Sequence, residues 1–174
     1  QLKLAGLALN KQRARAEMAG GFVTGNDRAD RWRHHNVDLA KRSGASSLMI
    51  IAQANPRFEN TWPAELQGAY MLGGLGMKPP EKRRATGFDD FLEALEEETL
   101  AFGKPVVYVH GDTHHYRVDK PLVGSVSRRV IENFTRVETF GYPNTHWVRV
   151  IVDPGDPNVF SFRQQIVKEN LVTH

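Results

Sequence analysis

The residues best suited to metal binding or catalysis follow one short apolar run. Val106–Val109 predicts a buried strand, because valine-rich runs of this length suit a covered, pleated surface. Gly111 then permits a sharp turn, and Asp112 and His114 come next, two residues apart. A carboxylate oxygen and an imidazole nitrogen are both metal ligands. The spacing alone leaves two interpretations open, a metal site and a solvated histidine-rich loop.

A second apolar run ends in the same way. Ser47–Ala52 predicts a buried strand, followed by Gln53 and Asn55 before Pro56 stops it. In open α/β sheets, ligands bind at the carboxyl ends of the strands. We therefore expect Gln53, Asp112 and His114 to face a common pocket.

The elements around these strands predict two βαβ units. Phe88–Phe102 is the strongest helical pattern, and its acidic side predicts a solvated face. Upstream, Phe22–Thr24 predicts a short strand and 28–42 a helix that leads to the 47–52 strand. Leu2–Met18 shows only a weak helical pattern. The chain should therefore belong to the α/β class.

The last third of the chain predicts antiparallel strands, because apolar and polar residues alternate there. Asp153–Pro157 has the composition of a turn, and Trp147 is predicted to lie in the core. The long segment 55–87 reads as a loop or insertion, with a short helix near 64–72. The predicted strands are Tyr116–Val118, Thr135–Phe140, Trp147–Asp153 and Phe160–Val167.

Composition is that of one globular domain spanning residues 1–174, with 40% hydrophobic and 25% charged residues. No apolar run approaches membrane-spanning length, so no membrane partner is predicted. The net charge of +3 fits a solvated surface or an anionic substrate. Basic residues are not interleaved with aromatics, which argues against nucleic acid as a partner. The absence of cysteine excludes disulfides and leaves both cytoplasm and periplasm open.

Several motifs resemble the C-terminal half of the calcineurin-like metallophosphoesterases. The family's Gly-His-x-His signature stands here as Gly111-Asp112-Thr113-His114, as in a bacterial branch with Asp at the first histidine. Asn133–Glu138 and His146–Val150 also resemble that branch. The resemblance implies half of an αββα sandwich and a hydrolase that cleaves phosphate esters with metal-activated water. In that family two metal ions stand about 3.5–4 Å apart.

The resemblance also assigns roles to the candidate residues. His114 would bind the first metal and Asp112 the second, with Gln53 in place of a strand-end histidine and Asn55 as a further ligand. Oxygen-rich ligands favour Mn, then Mg or Ca, with Fe or Zn as alternatives. The plainer alternatives are that Asp112 caps a turn and that Gln53 bonds a sheet edge.

Further residues near the predicted site receive supporting roles. Arg57 and Arg117 could hold a phosphate of the substrate. His110 is expected behind the ligands or in the core, and His115 and His146 in solvent or behind the ligands.

Three family elements are missing upstream, namely Asp-x-His, Gly-Asp and Gly-Asn-His. Gly25-Asn26-Asp27 is a poor substitute for the third, because it leads straight into the predicted helix. We therefore expect the chain to be the C-terminal part of a longer protein, whose N-terminal half is its partner in the site. The alternative is a non-catalytic binding or scaffold domain that has lost its metal centre.

Overall fold

A mixed five-stranded sheet forms the frame of the part of the chain that the structure describes. The computed structural model describes residues 4–8, 37–52, 55–62 and 88–171. The strands lie in the order β1-β2-β3-β5-β4; β1, β2, β3 and β5 are parallel, and β4 is antiparallel to β5. Their bounds are Leu4–Ala8 (β1), Ser47–Ile51 (β2), Val106–His110 (β3), Arg117–Asp119 (β4) and Phe134–Glu138 (β5).

The buried side chains of the sheet divide between its two faces, because successive residues of a strand point in opposite directions. Leu48, Ile50 and Tyr108 belong to one apolar cluster, and Met49 and Val107 to another. Strands covered on both faces read as continuous apolar runs, which is why β2 and β3 could be predicted from the sequence.

A long helix covers the first face and links β2 to β3. It spans Asp89–Phe102 and ends at Gly103, whose φ of 67° gives the left-handed conformation common at helix ends. Leu92 and Leu95 of this helix are buried in the first cluster. The preceding helical residues 37–42 bury Val37 in the same cluster. The predicted β2–helix–β3 unit is confirmed.

The acidic side of the long helix is only partly solvated, which corrects the prediction. Glu98 is buried, and its Oε2 lies 3.3 Å from Nζ of Lys41. Glu96 accepts a hydrogen bond of 2.8 Å from the backbone N–H of Ser125. These two acids connect the helix to its neighbours, Glu98 from a buried position and Glu96 from a half-buried one.

A β-hairpin covers the second face. It pairs β6 (Trp147–Val152) with β7 (Phe160–Gln165) in antiparallel register, which confirms the prediction for this region. Its inward side chains, among them Val150 and Phe162, pack on the second cluster. Trp147 is 50% exposed, so the prediction that it lies in the core is wrong; its side of the strand faces solvent.

Strand β5 differs from its prediction, because it pairs parallel with β3 and only β4 is antiparallel to it. β4 and β5 carry opposite charges in complementary register, half-buried on β4 and buried on β5. Arg117 stands opposite Glu138, and Asp119 opposite Arg136. Both cross-strand pairs are ion pairs.

The first part of the chain also differs. Leu4–Ala8 is a strand paired parallel with β2, where only a weak helical pattern was visible. A short apolar run cannot be assigned to strand or helix from periodicity alone. The predicted strand 22–24, most of the helix 28–42, the short helix near 64–72 and Gln53 lie outside the described residues. Of the described residues, no helix is long and apolar enough to span a membrane.

Candidate functional site

The candidate site lies at the carboxyl edge of the parallel strands, where β2, β3 and β5 end side by side. The backbone N–H of Ala52 donates to the carbonyl of Val109 at 2.8 Å, and that of Thr139 to the carbonyl of His110 at 2.8 Å. The loop that carries Asp112 and His114 therefore starts between two neighbouring strand ends. This is the place where α/β sheets bind ligands.

The backbone of this loop is strained at the two predicted ligands themselves. Asp112 has a φ of 101° and His114 a φ of 68°, whereas Gly111 is not among the positive-φ glycines. The expectation that Gly111 makes the turn is therefore wrong. A non-glycine residue in such a conformation costs about 1–3 kcal/mol and persists only where surrounding contacts impose it.

Glu138, at the end of β5, contacts the residue between these two. Its side chain has no exposed surface. Its Oε1 accepts hydrogen bonds from the backbone N–H of Thr113 at 3.0 Å and from the Thr113 hydroxyl at 2.6 Å. Its Oε2 accepts one from Nε of Arg117 at 2.7 Å. Burial raises the pKa of Glu138, but the Thr113 hydrogen bonds and nearby positive charge outweigh it and hold that pKa below its usual value.

The imidazole of His114 is fixed by a backbone carbonyl. Its Nδ1 lies 2.7 Å from the carbonyl oxygen of Tyr142. Because a carbonyl only accepts hydrogen bonds, Nδ1 must carry the proton, and Nε2 of the neutral ring then keeps its lone pair. Metal-binding histidines are commonly oriented in this way, by a carbonyl or carboxylate on the other nitrogen.

Gly141 makes room for this ring. A Cβ on Gly141 would overlap the His114 imidazole. The close approach of backbone and ring therefore requires glycine at this position.

Asp112 offers an uncommitted carboxylate two residues before this histidine. The residue is exposed, and within the described part of the chain its side chain has no hydrogen bond or ion pair. The turn-capping alternative thus has no hydrogen bond to support it. A carboxylate and a neutral imidazole form a donor set suited to a divalent cation such as Mn²⁺.

Of the two predicted ligands that follow β2, the structure describes Asn55. Gln53 is not described, and Asn55 is buried, with its Oδ1 accepting a 2.9 Å hydrogen bond from the backbone N–H of Arg57. This side-chain turn accompanies a left-handed Arg57, whose φ is 62°. Arg57 is exposed beyond the strand end. The roles of Asn55 as ligand and Arg57 as phosphate binder stay predictions.

His110 is a buried residue beneath the loop. It is 1% exposed, and its Nδ1 lies 2.5 Å from the carbonyl oxygen of Gly111. Its Nε2 is buried and has no hydrogen-bond partner among the residues that the structure describes. Its ring packs near Phe58 and Tyr108, with centroids 6.2 and 5.7 Å away. Burial lowers the pKa of His110, so the ring is neutral at pH 7.

The two remaining histidines near the loop have other contacts. His115 is exposed, and its Nδ1 lies 2.8 Å from the carbonyl of Thr113. His146 is half-buried, accepts a 3.2 Å hydrogen bond from the backbone N–H of Val167, and packs edge-on against Phe140.

No family model, curated protein or solved structure matches the chain. Across the described ranges, no group of three or more His, Cys, Asp or Glu side chains is placed to hold a metal ion. The resemblance to metallophosphoesterases therefore stays a prediction from the motifs.

Reasoning from the sequence missed the residues that shape the loop. Glu138 and Thr113 were not singled out, and neither were Gly141 and Tyr142. A signal for Glu138 was present, because a carboxylate inside a predicted buried strand needs partners. The carbonyl of Tyr142 left no signal, since any residue could supply it.

Proposed function

We propose that this chain contributes part of the metal centre of a metal-dependent phosphoester hydrolase, with Asp112 and His114 as ligands. The observation that carries the proposal is the hydrogen bond from Nδ1 of His114 to the Tyr142 carbonyl, which leaves Nε2 as the lone-pair nitrogen. The strained backbone at both residues adds to it, since such strain clusters at functional sites.

The chemistry of the site divides between the cations and the chain. Bound divalent cations, two per site in the family and Mn²⁺ by preference, would supply an activated water and stabilise charge on the phosphate. Asp112 would hold a cation through oxygen and His114 through Nε2. Gln53 and Asn55 are further candidate ligands, and the remaining ligands would come from the N-terminal half of the same protein.

The substrate would be a phosphate ester, held in part by arginine. Arg57 follows the buried turn at Asn55 and is exposed, so its guanidinium could bind phosphate oxygens in a bidentate manner. Arg117 was predicted to share this role. Its ion pair with Glu138 favours a role in holding the loop.

The decisive test compares neighbouring histidines. We expect His114→Ala in the full-length protein to lower Mn²⁺-stimulated hydrolysis of an aryl phosphate by more than about 100-fold, because a direct ligand matters at least as much as its supporting residues. His115→Ala is the matched control, because its Nδ1 contacts the Thr113 carbonyl and it should retain activity. If His114→Ala hydrolyses the ester like the wild type, the proposal fails.

The alternative function is a non-catalytic binding or scaffold domain. The replacement of family histidines by Asp112 and Gln53 favours it. Calorimetric titration with Mn²⁺ separates the two functions. A metal centre should give a heat of binding that is lost in Asp112→Ala, whereas a scaffold should give no such heat.

A further inference from the structure

We infer that Glu138 is a positioning residue for the metal-binding loop and acts on Asp112 and His114 through Thr113. The inference rests on the proposed function. Glu138 itself is fully buried and hydrogen-bonded to the loop and to β4, so it reaches a bound cation only through its effect on the two candidate ligands.

The two carboxylate oxygens of Glu138 accept hydrogen bonds from different parts of the structure. Oε2 pairs with Arg117, which stands directly opposite in the β4–β5 register, and this pair belongs to the sheet. Oε1 accepts both hydrogen bonds from Thr113. A purely structural carboxylate would be explained by the pair with Arg117 alone, so the hydrogen bonds from Thr113 identify a role in the loop.

The residue that Glu138 holds lies between the two strained ones. Asp112 and His114 both have positive φ, and Thr113 is the only residue between them. Fixing the amide and the hydroxyl of Thr113 constrains the peptides on either side. Because strained conformations persist only when contacts impose them, the hydrogen bonds to Oε1 keep the two ligands directed outward.

The test removes the Thr113 hydroxyl and leaves the Arg117 pair intact. We expect Thr113→Val in the full-length protein to weaken Mn²⁺ binding by about 10- to 100-fold, the usual effect of removing a residue that orients a ligand. Thr113→Ser retains the hydroxyl and should bind within a few-fold of the wild type. Thr113 is exposed, so both variants should fold.

A double-variant comparison checks the connection to Glu138. Glu138→Gln should weaken Mn²⁺ binding at least as much as Thr113→Val does, because it removes the charge that accepts all three hydrogen bonds. Adding Thr113→Val to it should cost less than Thr113→Val costs alone, because the hydroxyl then no longer meets a carboxylate. Glu98→Gln is the matched control. Like Glu138, Glu98 is a buried carboxylate in an ion pair, in its case with Lys41. Its replacement should lower stability without changing Mn²⁺ affinity.

A measurement without metal separates this inference from the proposed function. Nitrogen chemical shifts of the His114 ring report which nitrogen carries the proton. We expect the Nδ1–H form in the wild type and in Thr113→Ser, and a mixture of forms in Thr113→Val. If the wild type binds no Mn²⁺, the proposed function fails and the ring shifts decide alone. Identical ring shifts in Thr113→Val and the wild type would overturn the inference.

Discussion

Replacing Gly141 with alanine should separate metal binding from folding. The new Cβ would overlap the His114 ring, and the ring must swing away from the Tyr142 carbonyl. The backbone at Gly141 has no positive φ, so alanine itself should not strain it. The lost hydrogen bond is exposed, and such a bond contributes about 0.5–1.5 kcal/mol to stability.

Gly141→Ala should reduce the free energy of Mn²⁺ binding by more than it reduces the free energy of unfolding. Loss of the orienting carbonyl should weaken Mn²⁺ binding by about 10- to 100-fold, which corresponds to about 1.4–2.8 kcal/mol. Calorimetric titration with Mn²⁺ and urea unfolding of the same variant measure the two effects. Gly111→Ala is the control in the same loop, because its added Cβ would meet only Thr139 Oγ1 at 3.7 Å. A Gly141→Ala protein that binds Mn²⁺ as tightly as the wild type would refute this reasoning.

Three further predictions concern stability. Glu138→Ala should lower the free energy of unfolding by about 1.5–3 kcal/mol, because the hydrogen bonds from Thr113 and Arg117 to the buried carboxylate are lost; a loss below about 0.5 kcal/mol in urea unfolding would contradict this. His110 and Glu138 both have lowered pKa values in the folded state. Their stabilisation is therefore present above their unfolded pKa values, about 6.5 and about 4.5, and is lost as pH falls below each. Tm should decrease from pH 7 to pH 4, more weakly in His110→Phe, and a Tm that rises on acidification would rule this out. Leu95→Ala should cost about 2–5 kcal/mol, since Leu95 is 1% exposed. Leu100→Ala on the exposed side should stay within about 0.5 kcal/mol, and equal losses would contradict the assigned helix face.

The predictable parts of the fold were those with a strong local pattern. β2 and β3 are buried on both faces, so their apolar runs stand out, and the helix Asp89–Phe102 has one distinct apolar face. The hairpin follows from alternation and a proline-glycine turn. The direction of β5 could not be predicted, because the same strand pairs parallel with β3 on one side and antiparallel with β4 on the other.

The place of Asp112 and His114 at a strand end could be predicted from the sequence, but the contacts that hold their loop could not. Asp112 and His114 follow a strand end, and strand ends are where α/β sheets place ligands. Glu138 reaches the loop only because β5 sets it opposite His110, which is a tertiary fact. The left-handed backbone at Asp112 and His114 also escaped prediction, because glycine at 111 offered an easier place for the turn.

The opposed charges on β4 and β5 also determine how these strands align. β4 has only three residues, few for hydrogen bonding to fix its alignment. A slip of two positions would set Arg117 against Arg136, or Asp119 against Glu138, and like charges directly opposite repel. A slip of one would turn each charge to the other side of the sheet. The order of charges along the two strands therefore favours the observed alignment over its neighbours. This alignment also fixes where β4 begins, and so the distance that the segment from β3 to β4, with Asp112 and His114, must cover.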